Sequence, residues 1–200
     1  MATPSLAPRR TYLAAALTAF VASLVWIALG HNPLITEPAL AAGSGRALVA
    51  LSVVLGIFVA VISIVVTRRL LVRVDWAREL ARTLRPRLTG ASTSELVRTA
   101  VVVGVTEEIF FRGILQTVLG VWLAAAAFGL VHAGKGRTRA FYAAWAALTG
   151  AAFGVILWLT GSIAGPVVAH VVINAANALY LRDLGAEPRR RRALGGLLSR

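Results

Sequence analysis

Long apolar stretches separated by arginine clusters dominate this chain, and they leave few folds open. Runs of Ala, Val, Ile and Leu over residues such as Ala47 to Thr67 have the length that crosses a hydrocarbon layer as a helix, about 20 residues. A soluble domain carries about 45–50% apolar and about 25% charged residues. Here the shares are 58% and 14% of 200 residues, with mean hydropathy +0.77. The chain reads as an all-α, polytopic membrane bundle of about six transmembrane helices. Six spans of about 20 residues take roughly 120 positions, which leaves no room for a second large soluble domain. Cysteine is absent, so disulfides, thiolate nucleophiles and cysteine metal sites are excluded.

The segments follow from composition and punctuation. Residues 1–10 form a polar leader with Arg9 and Arg10. Tyr12 to Gly30 is a first span, too long for a signal-peptide core of about 7–15 residues, and it is read as an uncleaved anchor. Residues 31–46 are a loop with few charges, and Ala47 to Thr67 is the second span. Residues 68–98 mix arginines with Val74, Trp76, Leu80 and Leu84, a spacing that predicts an amphipathic interfacial helix ended by Pro86. Ser92, Thr93 and Ser94 offer N-caps, with Glu95 in the first turn of the next helix. That third span runs from about Glu95 to Leu119 and is broken by Gly120. A short fourth covers about Val121 to Ala133, and residues 134–139 are a basic turn. Phe141 to Leu159 is the fifth span, in which Gly150 and Gly154 suit close helix packing. A tight turn at Gly161 to Pro166 leads into the sixth, about Pro166 to Leu181, and a basic tail with Arg189 to Arg192 follows. The expected organisation is thus two N-terminal helices and a basic interfacial segment over 1–94, a four-helix core over 95–181 and a tail over 182–200. No internal repeat is evident, which weighs against an inverted-repeat transporter.

The formal net charge of +13 does not point to nucleic acid. The basic residues gather at the ends of apolar spans rather than among exposed aromatics. They fit positive-inside topology and attraction to anionic headgroups. With both termini cytoplasmic and Arg98 counted with the 68–98 segment, only Arg46 of the 21 basic residues falls on the far side and only Arg112 lies deep within a span.

Glu107, Glu108, Arg112, His132, His170 and Asn174 lie inside those apolar spans. Each ionisable group at membrane depth costs roughly 2.5–3.5 kcal/mol on insertion scales, so two adjacent carboxylates are poor filler. Neighbours on a helix point about 100° apart. Arg112 shares a face with Glu108, in the favourable order for an ion pair. That leaves Glu107 free to face a cavity as general base or acid. His170 and Asn174 share one helix face at i, i+4, and Asn177 follows a turn later. An interhelical hydrogen bond is the commoner role for such an Asn, as capping a helix C-terminus is for His132.

Together, Glu107-Glu108-Ile109-Phe110-Phe111-Arg112-Gly113, Phe128-Gly129-Leu130-Val131-His132, and Gly161-Ser162 through Pro166 to His170-Val171-Val172-Ile173-Asn174 resemble the CAAX-protease and bacteriocin-processing (CPBP, or Abi) family of intramembrane endopeptidases. The resemblance covers roughly residues 95–181. It implies peptide-bond hydrolysis by a water that Glu107 activates together with His132. His170 and Asn174 would stabilise the oxyanion or polarise the carbonyl, and Glu108 and Arg112 would hold the site's shape. It implies no obligatory cofactor. A divalent metal such as zinc on Glu107, His132 and His170 is the alternative, though no His pair stands at i, i+4 as His-Glu-x-x-His would require.

The partners expected are a peptide or membrane-protein substrate and a bilayer with anionic headgroups, not nucleic acid, in a bacterial plasma membrane. Two other classes compete: a non-catalytic protein of the same fold with an immunity or scaffold role, and a small proton-linked transporter. One tension is geometric. Glu107 lies deep in its span, whereas His132 is a turn from the loop expected on the cytoplasmic side.

Overall fold

The computed structural model describes residues 7–40, 45–133, 136 and 138–184; the side chains of 7–16 and 19 are outside that description. Part of the leader, half of the basic turn and most of the basic tail, Arg189 to Arg192 included, therefore lie outside the described residues. Those described form helices α1 (Ala7–Ala28), α2 (Gly45–Arg73), α3 (Asp75–Leu88), α4 (Thr93–Glu108), a π-helical segment (Ile109–Leu115), α5 (Gln116–Val131), α6 (Arg139–Thr160) and α7 (Ala164–Asp183). No strand occurs among them beyond an isolated bridge between Ile35 and Ser162. Four stretches are long and apolar enough to cross a membrane: Gly45–Arg73, Thr93–Val131, Arg139–Thr160 and Ala164–Asp183. Helix is the expected answer in lipid, because it satisfies every backbone group internally.

The 39-residue stretch Thr93–Val131 is not one rod. Gly120 leaves helical geometry at φ 77°, ψ 172°, a left-handed position that glycine adopts without strain. The chain doubles back there. The rings of Phe111 and Phe128 lie 4.9 Å apart, where a straight helix would separate them by about 25 Å. The break expected at Gly120 is present, but the fourth span is corrected. The arm from Val121 to Val131 is about 17 Å long, against a hydrocarbon core of about 30 Å, so it is a half-length return and not a full crossing. Its length follows from sequence, since the helix breaks at Gly120 and ends where His132 caps it at φ −86°, ψ −5°.

Small residues set the helix spacing. Ser52, Gly56, Ala60 and Ser63 form the buried stripe of α2, which lies against α7 at Gly165 and Ala169. Ser52 Oγ donates to the Ser162 carbonyl at 2.9 Å and accepts from the Gly165 N–H at 3.0 Å. A Cβ at Gly104 of α4 would stand 2.8 Å from Val171 Cγ2 of α7. Without a hydrophobic drive between helices in lipid, such close backbone approach is what holds a bundle together. It brings α7 against α4 at the depth of the acidic pair.

Two ends of the bundle are tied. Residues 34–40 run along the α6–α7 turn. The Thr36 N–H donates to Gly161 O at 2.8 Å, the Ala39 N–H to Trp158 O at 2.9 Å, and the Ile163 N–H to Leu34 O at 3.2 Å. At the other end Arg182 Nη1 donates to Thr93 Oγ1 at 3.1 Å. Ser92 caps α4 with a reciprocal Glu95 capping box, as its spacing predicts. The amphipathic α3 forms, but Pro86 does not end it. The helix carries on to Leu88 with Pro86 inside, because so near the C-terminus the missing N–H removes one bond only. The Thr89 N–H still reaches Arg85 O at 3.1 Å.

Candidate active site

The fold at Gly120 removes the tension over depth. Glu107 and His132 lie at nearly equal path lengths on either side of that glycine, so the hairpin returns His132 to the level of Glu107. Nε2 of His132 stands 3.3 Å from Glu107 Oε2. His132 both caps α5 and faces the carboxylate. Its Nδ1 lies 2.8 Å from the Phe128 carbonyl, an acceptor, so Nδ1 carries the proton and Nε2 is the atom turned towards Glu107.

The two glutamates have different surroundings. Glu108 and Arg112 have no accessible side-chain surface, and Arg112 Nε meets Glu108 Oε2 at 3.1 Å. The other Glu108 oxygen is 2.7 Å from Nδ1 of His170. Nε2 of His170 then lies 3.8 Å from Glu107 Oε2. Glu107 keeps 23% of its side-chain surface, which makes it the carboxylate of the pair that a ligand can reach. Its Oε2 is nevertheless shielded and has no hydrogen-bond partner. A carboxylate oxygen held between two imidazole Nε2 atoms is thus the centre of the arrangement.

Arg112 carries an unusual burden. Nη1 and Nη2 are buried without hydrogen-bond partners, and the guanidinium lies over the rings of Phe128 at 5.0 Å and Phe153 at 5.9 Å. Burying a charge costs several kcal/mol, which Glu108 and the ring faces offset in part. Gly150 makes room for it, since a Cβ there would stand 3.1 Å from Arg112 Nη2. A turn on, Gln116 Nε2 donates to the Gly154 carbonyl at 2.9 Å. The π-helical register of Ile109–Leu115 begins immediately after the acidic pair, and such widened turns recur at functional sites.

Glu107, Glu108, Arg112, His132 and His170 are therefore brought together. Asn174 stands one turn along α7 from His170, half-buried. Asn177 does not make the interhelical bond expected of it through Oδ1, which is buried without a partner. Sequence reasoning missed Gln116, although a polar side chain in the same span was the available signal. It also missed the π-helical register and the packing of Pro33 against Gly113, where a glycine Cβ would stand 2.8 Å from Pro33 Cβ. No local pattern announces either. Among the described residues, no set of three or more His, Asp or Glu side chains is arranged to hold a metal ion.

A multi-pass helical membrane protein with acid and imidazole groups gathered inside the bundle is the class that this fold and site define. Residues 89–176 match the family model described as type II CAAX prenyl endopeptidase Rce1-like, so this segment of the chain is similar to that family. The match spans all three motifs that carried the resemblance. A curated relative, the uncharacterized protein YpbD of Bacillus subtilis (strain 168), is 29% identical over 93 residues, covering 46% of this chain and 48% of the relative. The chain thus aligns with about half the length of that relative. No solved structure matches the chain significantly.

Proposed function

We propose that this chain is an intramembrane endopeptidase that hydrolyses a peptide bond with a water activated between Glu107 and His132. The observation that supports this most is the part-exposed Glu107 side chain, whose shielded Oε2 faces Nε2 of His132 at 3.3 Å and of His170 at 3.8 Å, beside a glutamate already committed to Arg112. In the proposed step Glu107 takes a proton from water while the oxygen adds to the scissile carbonyl carbon. Nε2 of His132, whose Nδ1–H is spent on Phe128 O, is the second acceptor for that water. The amide of Asn174, and Nε2 of His170 in its protonated form, donate to the oxyanion. Collapse breaks the C–N bond, and the proton held by Glu107 passes to the leaving amine. Glu108 fixes the ring of His170 through Nδ1, and Arg112 keeps Glu108 ionised in place.

No step in this reading runs through a metal, since a water activated by a glutamate needs none. A crevice of about 550 Å³ between α1 and the junction of α4 with the π-helical segment is walled by Phe20, Leu24, Ile27, Thr106 and Ile109, on a face that neither glutamate lines. The proposed setting is a bacterial plasma membrane, with the Arg-rich ends of α2, α3 and α7 on the cytoplasmic side.

The test is Glu107→Gln in liposomes containing prenylated and unprenylated peptides. Cleavage is expected to disappear while thermal unfolding is unchanged, and wild-type cleavage is expected to survive EDTA and 1,10-phenanthroline. A wild-type rate in the variant rejects the catalytic assignment. A wild-type protein that cleaves nothing supports the scaffold or immunity reading instead.

A further inference from the structure

The arginines of α3 are arranged in a way that the site does not explain. Arg78, Arg82 and Arg85 stand at i, i+4 and i+7, so they share one face of the helix. That face looks into a crevice of about 380 Å³ whose other walls include Leu71 of α2, Pro86 and Leu184. A helix laid against a bundle ordinarily turns its apolar face inward. Here Ala77 and Ala81 are buried, and beside them three arginines line the crevice, of which only Arg78 has an acidic partner, Asp75, besides its 2.6 Å bond to the Val72 carbonyl. Arg82 and Arg85 have no ion pair among the described residues, Glu79 on the same helix included. Nε of Arg85 is buried without a hydrogen-bond partner.

We propose that this crevice binds a phosphate-bearing anion, with the phosphodiester of an anionic membrane lipid as the ligand and Arg82 and Arg85 as its principal contacts. Like charges gathered at one opening repel unless an anion sits between them. The planar guanidinium fork matches phosphate oxygens two at a time, and the orphaned Nε of Arg85 is one such donor. The location fits a lipid. α3 begins one residue after α2 ends at Arg73, where a membrane-crossing helix leaves hydrocarbon. Leu71 and Leu184 supply apolar surface for the first acyl carbons. Basic pockets between spans are a known form of headgroup recognition. This site stands apart from the acid–imidazole cluster and does not rest on the protease reading.

The test uses the whole purified chain in a neutral detergent, titrated with dioctanoyl phosphatidylglycerol, dioctanoyl phosphatidylcholine or inorganic phosphate while thermal unfolding is followed. Phosphatidylglycerol is expected to raise Tm saturably and phosphatidylcholine to leave it unchanged. Arg82→Ala/Arg85→Ala should weaken the phosphatidylglycerol midpoint at least tenfold, whereas Arg87→Ala, outside the crevice, should not. Phosphate acting at the same midpoint as the lipid keeps the anion site and names a soluble phosphate as its source. Equal shifts from both lipids, no shift from any of the three, or an unchanged midpoint in the double variant overturns the proposal. Should the double variant fail to fold, the wild-type midpoint decides: it must weaken as NaCl rises, and a salt-independent midpoint overturns the anion site.

Discussion

Glu107 and Glu108 are consecutive residues on one helix, yet they belong to two different regions. On the Glu108 side everything is sealed: Arg112 at 3.1 Å, His170 at 2.7 Å and no accessible side-chain surface. On the Glu107 side the carboxylate is reachable, and its shielded oxygen has no hydrogen-bond donor. The difference comes from the 100° step between neighbours on a helix and from what the fold delivers to each face. The sealed face receives an arginine from its own helix, the open face a histidine returned by the hairpin at Gly120. A membrane protein that must keep an unpaired acid ready for chemistry can hold it beside a paired one, and the pair's rigidity then orients the shared imidazole. His170 is the link, with one ring nitrogen on each side.

The contrast is broken first by exchanging the two acids. Glu107→Gln is expected to slow peptide cleavage by up to about 10⁴-fold, about 5 kcal/mol of barrier, with Tm close to wild type. Glu108→Gln should do the opposite in kind: the folded yield and Tm fall because Arg112 is left a buried, unpaired charge. Thermal unfolding and single-turnover cleavage of both variants decide the matter, and equal losses of both quantities in both variants would erase the distinction. Arg112→Ala attacks the sealed side from its other end. Removing one partner of a buried pair costs about 3–5 kcal/mol, read as a lowered denaturation midpoint in detergent. A midpoint at the wild-type value would mean that the sealed pair holds nothing together. For Asn174, the proposed oxyanion donor, Asn174→Ala is expected to lower kcat by about 10²–10³-fold, about 3–4 kcal/mol, as loss of one such donor does, with little change in KM. A rise in KM at constant kcat would instead make Asn174 a ground-state contact.

Much of this was legible in the residues, for physical reasons. Apolar runs, the Ser92–Glu95 capping box and the break at Gly120 are local signals that read the same in sequence and in space. The polar residues of the site were visible because lipid makes them expensive. What sequence could not give was where the arm after Gly120 lies. It looked like a short crossing, and its packing against Phe111 of the π-helical segment and Ala143 and Ala147 of α6 shows it folded back beside them. Pro86 misled for another reason: a proline removes one bond of the ladder, and the turn around it still closes through the Thr89 N–H to Arg85 O. The π-helical register of Ile109–Leu115 has no residue pattern that announces it.

The smallest effect sharpens the comparison by controlling it. Ser92 caps α4 fifteen residues before Glu107, its Oγ accepting from the Glu95 N–H at 3.2 Å while Glu95 Oε2 accepts from the Ser92 N–H at 2.9 Å. Ser92→Ala removes one side of that exchange and should cost about 1 kcal/mol of stability. The cap touches neither the sealed pair nor the open carboxylate, so cleavage per folded molecule should stay at the wild-type rate. If this mild loss at the helix end also slows cleavage, then α4 transmits its end to its middle. The losses seen in Glu108→Gln and Arg112→Ala could then no longer be divided between a support that folds and an acid that reacts. An unchanged rate at a Tm lowered by a few degrees gives the scale on which those larger losses are read.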